Sequence, residues 1–384
     1  MPAHRVAGTG LCCLWRLGYE VMHGDKNMSA GGKAKSGKPI VGLAGFFGYG
    51  NYGDELFVEV FREFLADRFE LRILSDLKQK PYYSRPIDQV VEDVDAIVIG
   101  GGDIVQPWGM DPRYFSMEFL KRPVFVIGVG VPIRARALNP NHVEKDWIIE
   151  KYARFFSHPS MKMIHARDRQ SADWIRKKTH PKLKVVEAPD IVCALTLPPA
   201  QKPEGAPVLG IVTRQRPGRD DDYTQLNALA QQQRDAGWRI RHIILGTGEV
   251  GSRDLADSVD IVGEKELVYS ESLDDLSRSI GECTALASMK FHGTVVATMY
   301  GVPSMVLIPT NKNRNFMHRI ARDELVSDFG DPRLCQRFGD GPAPIDPGDV
   351  RKLRKRSREV MTKLAAEISA ALAEGDAGEA SSGG

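Results

Sequence analysis

Four stretches of this 384-residue chain combine residue types that can do chemistry. In SMKFHGTVV, starting at Ser288, Lys290 and His292 flank the junction between an apolar run and a helix-like segment. A helix start offers free N–H groups and the positive end of a dipole, so an ammonium and an imidazole there suit an anion. The imidazole can also pass a proton. In HARDRQ, Arg167 leaves another apolar run and can hold a carboxylate or phosphate through two parallel bonds. In IVIGGGD, Gly101 and Gly102 permit close backbone approach to a ligand, and Asp103 follows them. In GFFGYGNYGDE, Gly50, Asn51 and Gly53 lead into Asp54 and Glu55, two carboxylates at the start of a helix-like segment. Lys312 and Arg314 in NKNRN lie on a further loop that can hold a phosphate. Each stretch also has a plainer reading: a structural histidine, a surface Arg–Asp pair, a tight turn, a helix-capping Asp54 or a solvated basic loop.

Gly48, Gly50 and Gly53 also meet the spacing G-x-G-x-x-G of a dinucleotide-binding turn, and Asp76 ends the next apolar run. Three features oppose that reading. The separation from Gly48 to Asp76 exceeds the roughly 20 residues expected. Asp54 and Glu55 put negative charge where a diphosphate would sit. Phe46, Phe47, Tyr49 and Tyr52 suit sugar stacking or core packing better than a bare backbone cradle. NAD is therefore the disfavoured ligand.

These loops need strands behind them, and the chain supplies a series. Apolar runs at 39–45, 70–75, 95–100, 123–130, 161–167 and 184–190 read as strands, followed by runs at 208–214, 238–245, 259–263, 283–288 and 303–309. Between the first two, Leu56, Phe57, Val60, Phe61 and Phe64 recur at helical spacing. Further helices are expected around 222–236, 273–280 and 293–300, and Val360, Leu364, Ile368 and Leu372 mark a long C-terminal one. Alternating strands and helices imply parallel sheets covered on both faces. The expected fold class is α/β, with two Rossmann-like domains whose parallel sheets face a central cleft. PPAQKPEGAP (198–207) reads as the linker. The expected divisions are an unordered tail over 1–38, domains at 39–203 and 204–325, a segment and helix at 326–374, and an unordered end at 375–384. Met22 and Met28 stand as alternative starts to Met1.

Composition narrows the function classes. Hydrophobic residues make up 42% and charged residues 27%, enough for ordinary cores, and the formal net charge of +2 is too small to argue for nucleic-acid binding, so no nucleic-acid partner is expected. Five cysteines with no C-x-x-C pair suit reduced thiols in a cytoplasm and argue against a zinc ribbon or a disulfide scaffold. No metal-ligand constellation stands out, and no run approaches the roughly 18 apolar residues of a membrane span.

GYGNYGDE, IGGGD, ARDRQSADW, APD, SMKFHGTVVATMYGVPSM and NKNRNF occur in that order, and together they resemble the polysaccharide pyruvyl transferase family over roughly residues 40–320. The resemblance implies a GT-B-like build and transfer of a pyruvyl group from phosphoenolpyruvate to a saccharide, often as a ketal bridging two hydroxyls. It implies no cofactor. The family usually has Ser-Met-Arg-Leu-His in the fifth motif. Here Lys290 and Phe291 replace its Arg and Leu, and Asn311 and Lys312 stand in a loop that usually reads Asp-Pro-Lys. On this reading Arg167 and Lys290 clamp the donor, assisted by Lys312 or Arg314. His292 is the acid or the partner of the departing phosphate. Asp54, Glu55 or Asp103 accepts the hydroxyl proton or holds sugar hydroxyls, with Gly50, Asn51, Gly53, Gly101 and Gly102 shaping the loops. A lipid-linked acceptor would make any membrane contact peripheral. Two alternatives stand beside it: a nucleotide-sugar-dependent glycosyltransferase of the same build, and a saccharide-binding homologue without turnover.

Overall fold

Short apolar runs satisfy their backbone groups by pairing side by side, and helical crossovers between them force the pairs to be parallel. The computed structural model describes residues 37–133, 142–202, 204–216 and 221–382. The expected tail at 1–38, with Met22 and Met28, lies outside these apart from its last two residues. From Lys38 onward the chain belongs to one compact unit containing two parallel sheets.

The first sheet comprises β1 (Ile40–Ala44), β2 (Glu70–Ile73), β3 (Ala96–Gly100), β4 (Val124–Val129), β5 (Met161–Ala166) and β6 (Val185–Glu187), in the order β2-β1-β3-β4-β5-β6. The second comprises β7 (Val208–Val212), β8 (Arg239–Ile243), β9 (Glu266–Val268), β10 (Ala285–Ser288) and β11 (Ser304–Val306), ordered β11-β10-β7-β8-β9. Strand order reverses between β1 and β3 in one sheet and between β7 and β10 in the other. Ligands of open α/β sheets gather outside the strand ends at such points. The chain leaving β1, β3 and β10 carries Asp54, Asp103 and His292, the first and last in the opening turns of the helices that follow.

Helices α1 (Tyr52–Leu65), α2 (Ile87–Glu92), α3 (Asp146–Phe156) and α4 (Arg169–Thr179) accompany the first sheet. The second carries α5 (Thr224–Asp235), α6 (Gly248–Ala256), α7 (Leu273–Gly281), α8 (Phe291–Met299), α9 (Asn311–Arg319) and the short α10 (Leu334–Phe338). Helix α1 lies where the two sheets meet. Its apolar stripe, Leu56, Phe57, Val60 and Phe61, is buried in a core shared with the second sheet, and the Tyr52 hydroxyl bonds Ser277 of α7 at 2.7 Å. The aromatic residues of the first loop are thus partly core: Phe47 and Tyr52 are buried, while Phe46 packs on Tyr49 with ring centroids 4.6 Å apart.

Helix α11 (Pro347–Ser382) returns from the second sheet to pack across the first. Its Ser357 hydroxyl donates to the Asp190 carbonyl, and its Arg356 and Arg358 donate to the carbonyls of Glu187 and Ala194. The helix therefore clamps the segment that follows β6. It continues to Ser382, so the unordered end expected from 375 is instead helical as far as that residue. Extending an existing helix adds a hydrogen bond per residue and needs no new nucleus. A second correction concerns the strand expected at 259–263. That stretch begins in a 3-10 turn, Val259 and Val262 point outward, and the strand forms at β9 instead. β-branched composition marks a residue type that fits a strand, but pairing decides which residues form one.

Candidate active site

The N-terminal loop is built by its own backbone needs. Gly50 has φ +82, and a Cβ there would lie 2.2 Å from the Thr247 carbonyl oxygen. Thr247 N–H donates to the Gly50 carbonyl at 2.9 Å, and Asn51 bridges to Gly246, so this loop docks onto the loop after β8. Glu55 turns back over it and accepts the N–H groups of Gly50 at 2.9 Å and Gly48 at 3.2 Å. Glu55 thus braces the loop, in contrast to its expected acceptor-facing role. Asn51 donates its side-chain N–H to Asp54. Burial pushes the Asp54 carboxyl above the ordinary carboxylate range, while the Asn51 bond and the facing His292, Lys312 and Arg167 side chains pull it back.

His292 sits in the first turn of α8, its ring edge-on to Phe57 and Phe291. Gly53 makes room for it: a Cβ at 53 would fall 1.7 Å from His292 Nδ1. The other nitrogen, Nε2, faces Asp190 Oδ2 at 3.6 Å.

Arg167 leaves β5 and is buried, its side chain 2% exposed. It pairs with Asp103, and its Nη1 lies 3.7 Å from Asp190 Oδ2. Burial opposes its charge, but Asp103, Asp190 and Asp168 outweigh that and hold it firmly cationic. Gly130, at the end of β4, cradles this group. A Cβ there would meet Arg167 Nη2 and Asp103 Oδ1, both at 2.6 Å. Gly101 and Gly102 have φ +87 and +74, and the Gly102 carbonyl accepts the Gly130 N–H at 2.9 Å. Lys312, from α9, completes the group with its Nζ 3.3 Å from Asp103 Oδ2 and 5.5 Å from the Phe291 ring centre. A narrow cavity lined by Arg167, Asp168, Asp190, Phe291, Lys312, Asn315, Phe316 and Arg319 continues from it. Across the cavity, Asn315 bonds Gln170 at 2.8 Å and Arg319 pairs with Glu187.

Asp54, Asp103, Arg167, His292 and Lys312 therefore form one group, contributed by the strand ends of both sheets. Lys290 and Arg314 do not join it. Lys290 Nζ is tied to Asp254 of α6 and to the Leu245 carbonyl, with the Lys290 and Asp254 side chains 10% and 5% exposed. Burial lowers its pKa, and the Asp254 carboxylate opposes the shift. Arg314 is exposed and donates to the Pro309 carbonyl at 3.2 Å. Two contributors, Asp190 and Gly130, are absent from the sequence-based expectations. Asp190 lies in the APD motif, where a carboxylate after a short strand was available as a signal. Gly130 ends the apolar run at 123–130, where a glycine carries no mark of its own.

Among the described residues, no group of three or more His, Cys, Asp or Glu side chains could hold a metal ion, and no helix is long and apolar enough to cross a membrane. Of solved structures, a UDP co-structure of MnaA from S. aureus shares the fold with a TM-score of 0.52 and 11% identity, covering 86% of this chain and 97% of that one. UDP-GlcNAc 2-epimerase from Neisseria meningitidis bound to UDP-GlcNAc gives 0.50 and 11%, over 85% and 99%. At such identity the likeness shows the fold alone, the two-sheet GT-B-like plan. No curated protein matches the chain significantly in sequence. The family model for polysaccharide pyruvyl transferases matches residues 51–311, a span that contains every member of the group just described except Lys312, which follows it directly. With a match over most of its length, this chain belongs to the polysaccharide pyruvyl transferase family and is a transferase.

Proposed function

We propose that this enzyme transfers the pyruvyl group of phosphoenolpyruvate to a saccharide, releasing phosphate. The observation that carries the reading is the buried Arg167, whose Nε and Nη1 lack hydrogen-bond partners while His292 and Lys312 share its surroundings. A donor with a carboxylate and a phosphate calls for several fixed cations in one place. His292 passes a proton to the methylene carbon of the donor, leaving C2 cationic. A sugar hydroxyl oxygen bonds to C2 and gives its proton to Asp54, and the C2–O bond to phosphate breaks. A second hydroxyl oxygen then bonds to C2 in place of the departed phosphate and gives its proton to the His292 imidazole, closing the ketal. Among the three carboxylates considered as the base, Glu55 braces its own loop and Asp103 pairs with Arg167 and Lys312. A carboxylate raised by burial suits a base working near neutral pH.

Phosphoenolpyruvate should raise the melting temperature of the wild-type protein, with UDP, GDP and NAD as comparison arms. A ligand at 100 times its Kd adds about 2.7 kcal/mol. A shift with UDP or GDP alone would favour the nucleotide-sugar reading. With soluble and lipid-linked saccharides offered as acceptors, His292→Ala should abolish phosphate release from phosphoenolpyruvate. Turnover like the wild type would remove His292 from the mechanism. Saccharide binding without phosphate release by the wild type would favour a binding protein, the reading to which the sequestered Lys290 points.

A further inference from the structure

Asp190 stands just beyond β6 and caps the 3-10 turn Ile191–Ala194. Its Oδ1 accepts the Val192 N–H at 3.0 Å, and its carbonyl is held by Ser357 of α11 at 3.1 Å. These two bonds fix the carboxylate's orientation and commit Oδ2 to one direction. Oδ2 faces His292 Nε2 at 3.6 Å and Arg167 Nη1 at 3.7 Å, with the Asp190 side chain 1% exposed. All three atoms are buried and none has a hydrogen-bond partner. A buried polar atom left unpaired is costly, and three facing one another need an explanation.

The cap alone does not explain them, because it uses only Oδ1. Nor does charge balance for Arg167, which Asp103 already provides. An imidazolium does explain them. With a proton on Nε2, the 3.6 Å approach needs only a small adjustment to become a charge-assisted hydrogen bond. Burial opposes the charge on Asp190, but His292 and Arg167 hold its carboxyl below the usual range, so the partner charge is available. The other groups facing His292 are Asp54 from α1, Arg167 from the loop after β5 and Lys312 from α9, besides the Phe57 and Phe291 rings. The preceding Lys290 is neutralised by Asp254.

We propose that Asp190 is a positioning residue that holds the His292 ring through Nε2 and stabilises its imidazolium form. Proton transfer then falls to Nδ1, the nitrogen against Gly53 and the first turn of α1. The use of this pair in catalysis rests on the pyruvyl-transfer reading, but its existence does not, and the test separates the two.

The histidine side chains are titrated by NMR in the wild type, Asp190→Asn and Asp190→Ser, with His292→Gln identifying the His292 signal. Asn and Ser both keep a cap acceptor for Val192 while removing the charge. The expected result is at least about a tenfold fall in the proton affinity of His292 in both variants, with the His242 signal unmoved. An unchanged His292 titration overturns the proposal. So does loss of folding in both variants, which would make Asp190 a structural cap. In a phosphate-release assay, Asp190→Asn should lower kcat about 100-fold with KM for phosphoenolpyruvate within about threefold, and Asp190→Glu should recover part of kcat. If the wild type itself does not turn over phosphoenolpyruvate, the pyruvyl reading fails while the titration still decides the role of Asp190.

Discussion

At the scale of single residues, the site is shaped as much by missing side chains as by present ones. Gly53 has ordinary helical backbone geometry, so its value lies in the absent Cβ, whose place is taken by His292 Nδ1 and Cγ at 1.7 and 2.4 Å. Within a helix, Ala is about 1 kcal/mol better than Gly. Gly53→Ala is therefore expected to displace the ring in spite of that gain, cutting phosphate release about 100-fold while the protein still folds. Steady-state assays beside a thermal melt check this, and full activity would show that the ring can sit elsewhere. Gly130 plays the same part for the Arg167–Asp103 pair. Nothing in a string of letters separates such a glycine from one that merely turns the chain, because the atom it must avoid comes from another element.

Among elements, the junction of β10 with α8 shows how neighbouring residues part company. Lys290 is the extended residue that precedes α8, with φ −104 and ψ 130, whereas His292 is already helical. Their side chains diverge, His292 into the site and Lys290 toward α6. There Asp254 pairs with Lys290 and also accepts the Gln215 N–H at 3.0 Å, tying α6 to the loops after β7 and β10. A buried ammonium that loses its partner costs about 3–5 kcal/mol. Asp254→Ala should lower stability by about that amount, which for a chain of this size is roughly 4–7 °C in Tm. Calorimetry checks it, and a fall of under about 1 kcal/mol would mean that water reaches the pair. Spacing alone put Lys290 beside His292 as an anion-holding pair. The dihedral change at the helix start sends it elsewhere, and that change depends on where the helix begins.

Across the whole molecule, pH sensitivity follows from two histidines outside the site. His165 lies between the Gly128 N–H and the Ala188 carbonyl, and His242 meets the Thr213 hydroxyl at 2.8 Å. Burial pushes both down to about 4 from an ordinary value of 6.5. Between these values the unfolded chain binds more protons than the folded one, so stability is full above about pH 6.5 and falls as pH drops toward 4. Each histidine contributes on the order of 3 kcal/mol across that window. Denaturant melts from about pH 7 to about pH 4 should show the decline, and His242→Gln should flatten part of it. An identical slope in the variant would place the loss in other groups.

Much of this architecture was legible in the letters. Apolar runs of strand length alternating with helical stripes determine parallel sheets, since each strand must be returned to the same end by a crossover. Motif order along the chain pointed to the family, and Asp54, Asp103, Arg167, His292 and Lys312 were marked by their places after strands. Tertiary structure alone decided which of the marked residues meet. Arg167 pairs with Asp103 across 64 residues of sequence, and Lys290 with Asp254 across 36. It turned Glu55 onto its own loop, buried Lys290 and brought Asp190 to His292. Local pattern governs which backbone bonds form. The partners of a charged side chain depend on burial and on distances between elements far apart in sequence, which no local pattern contains.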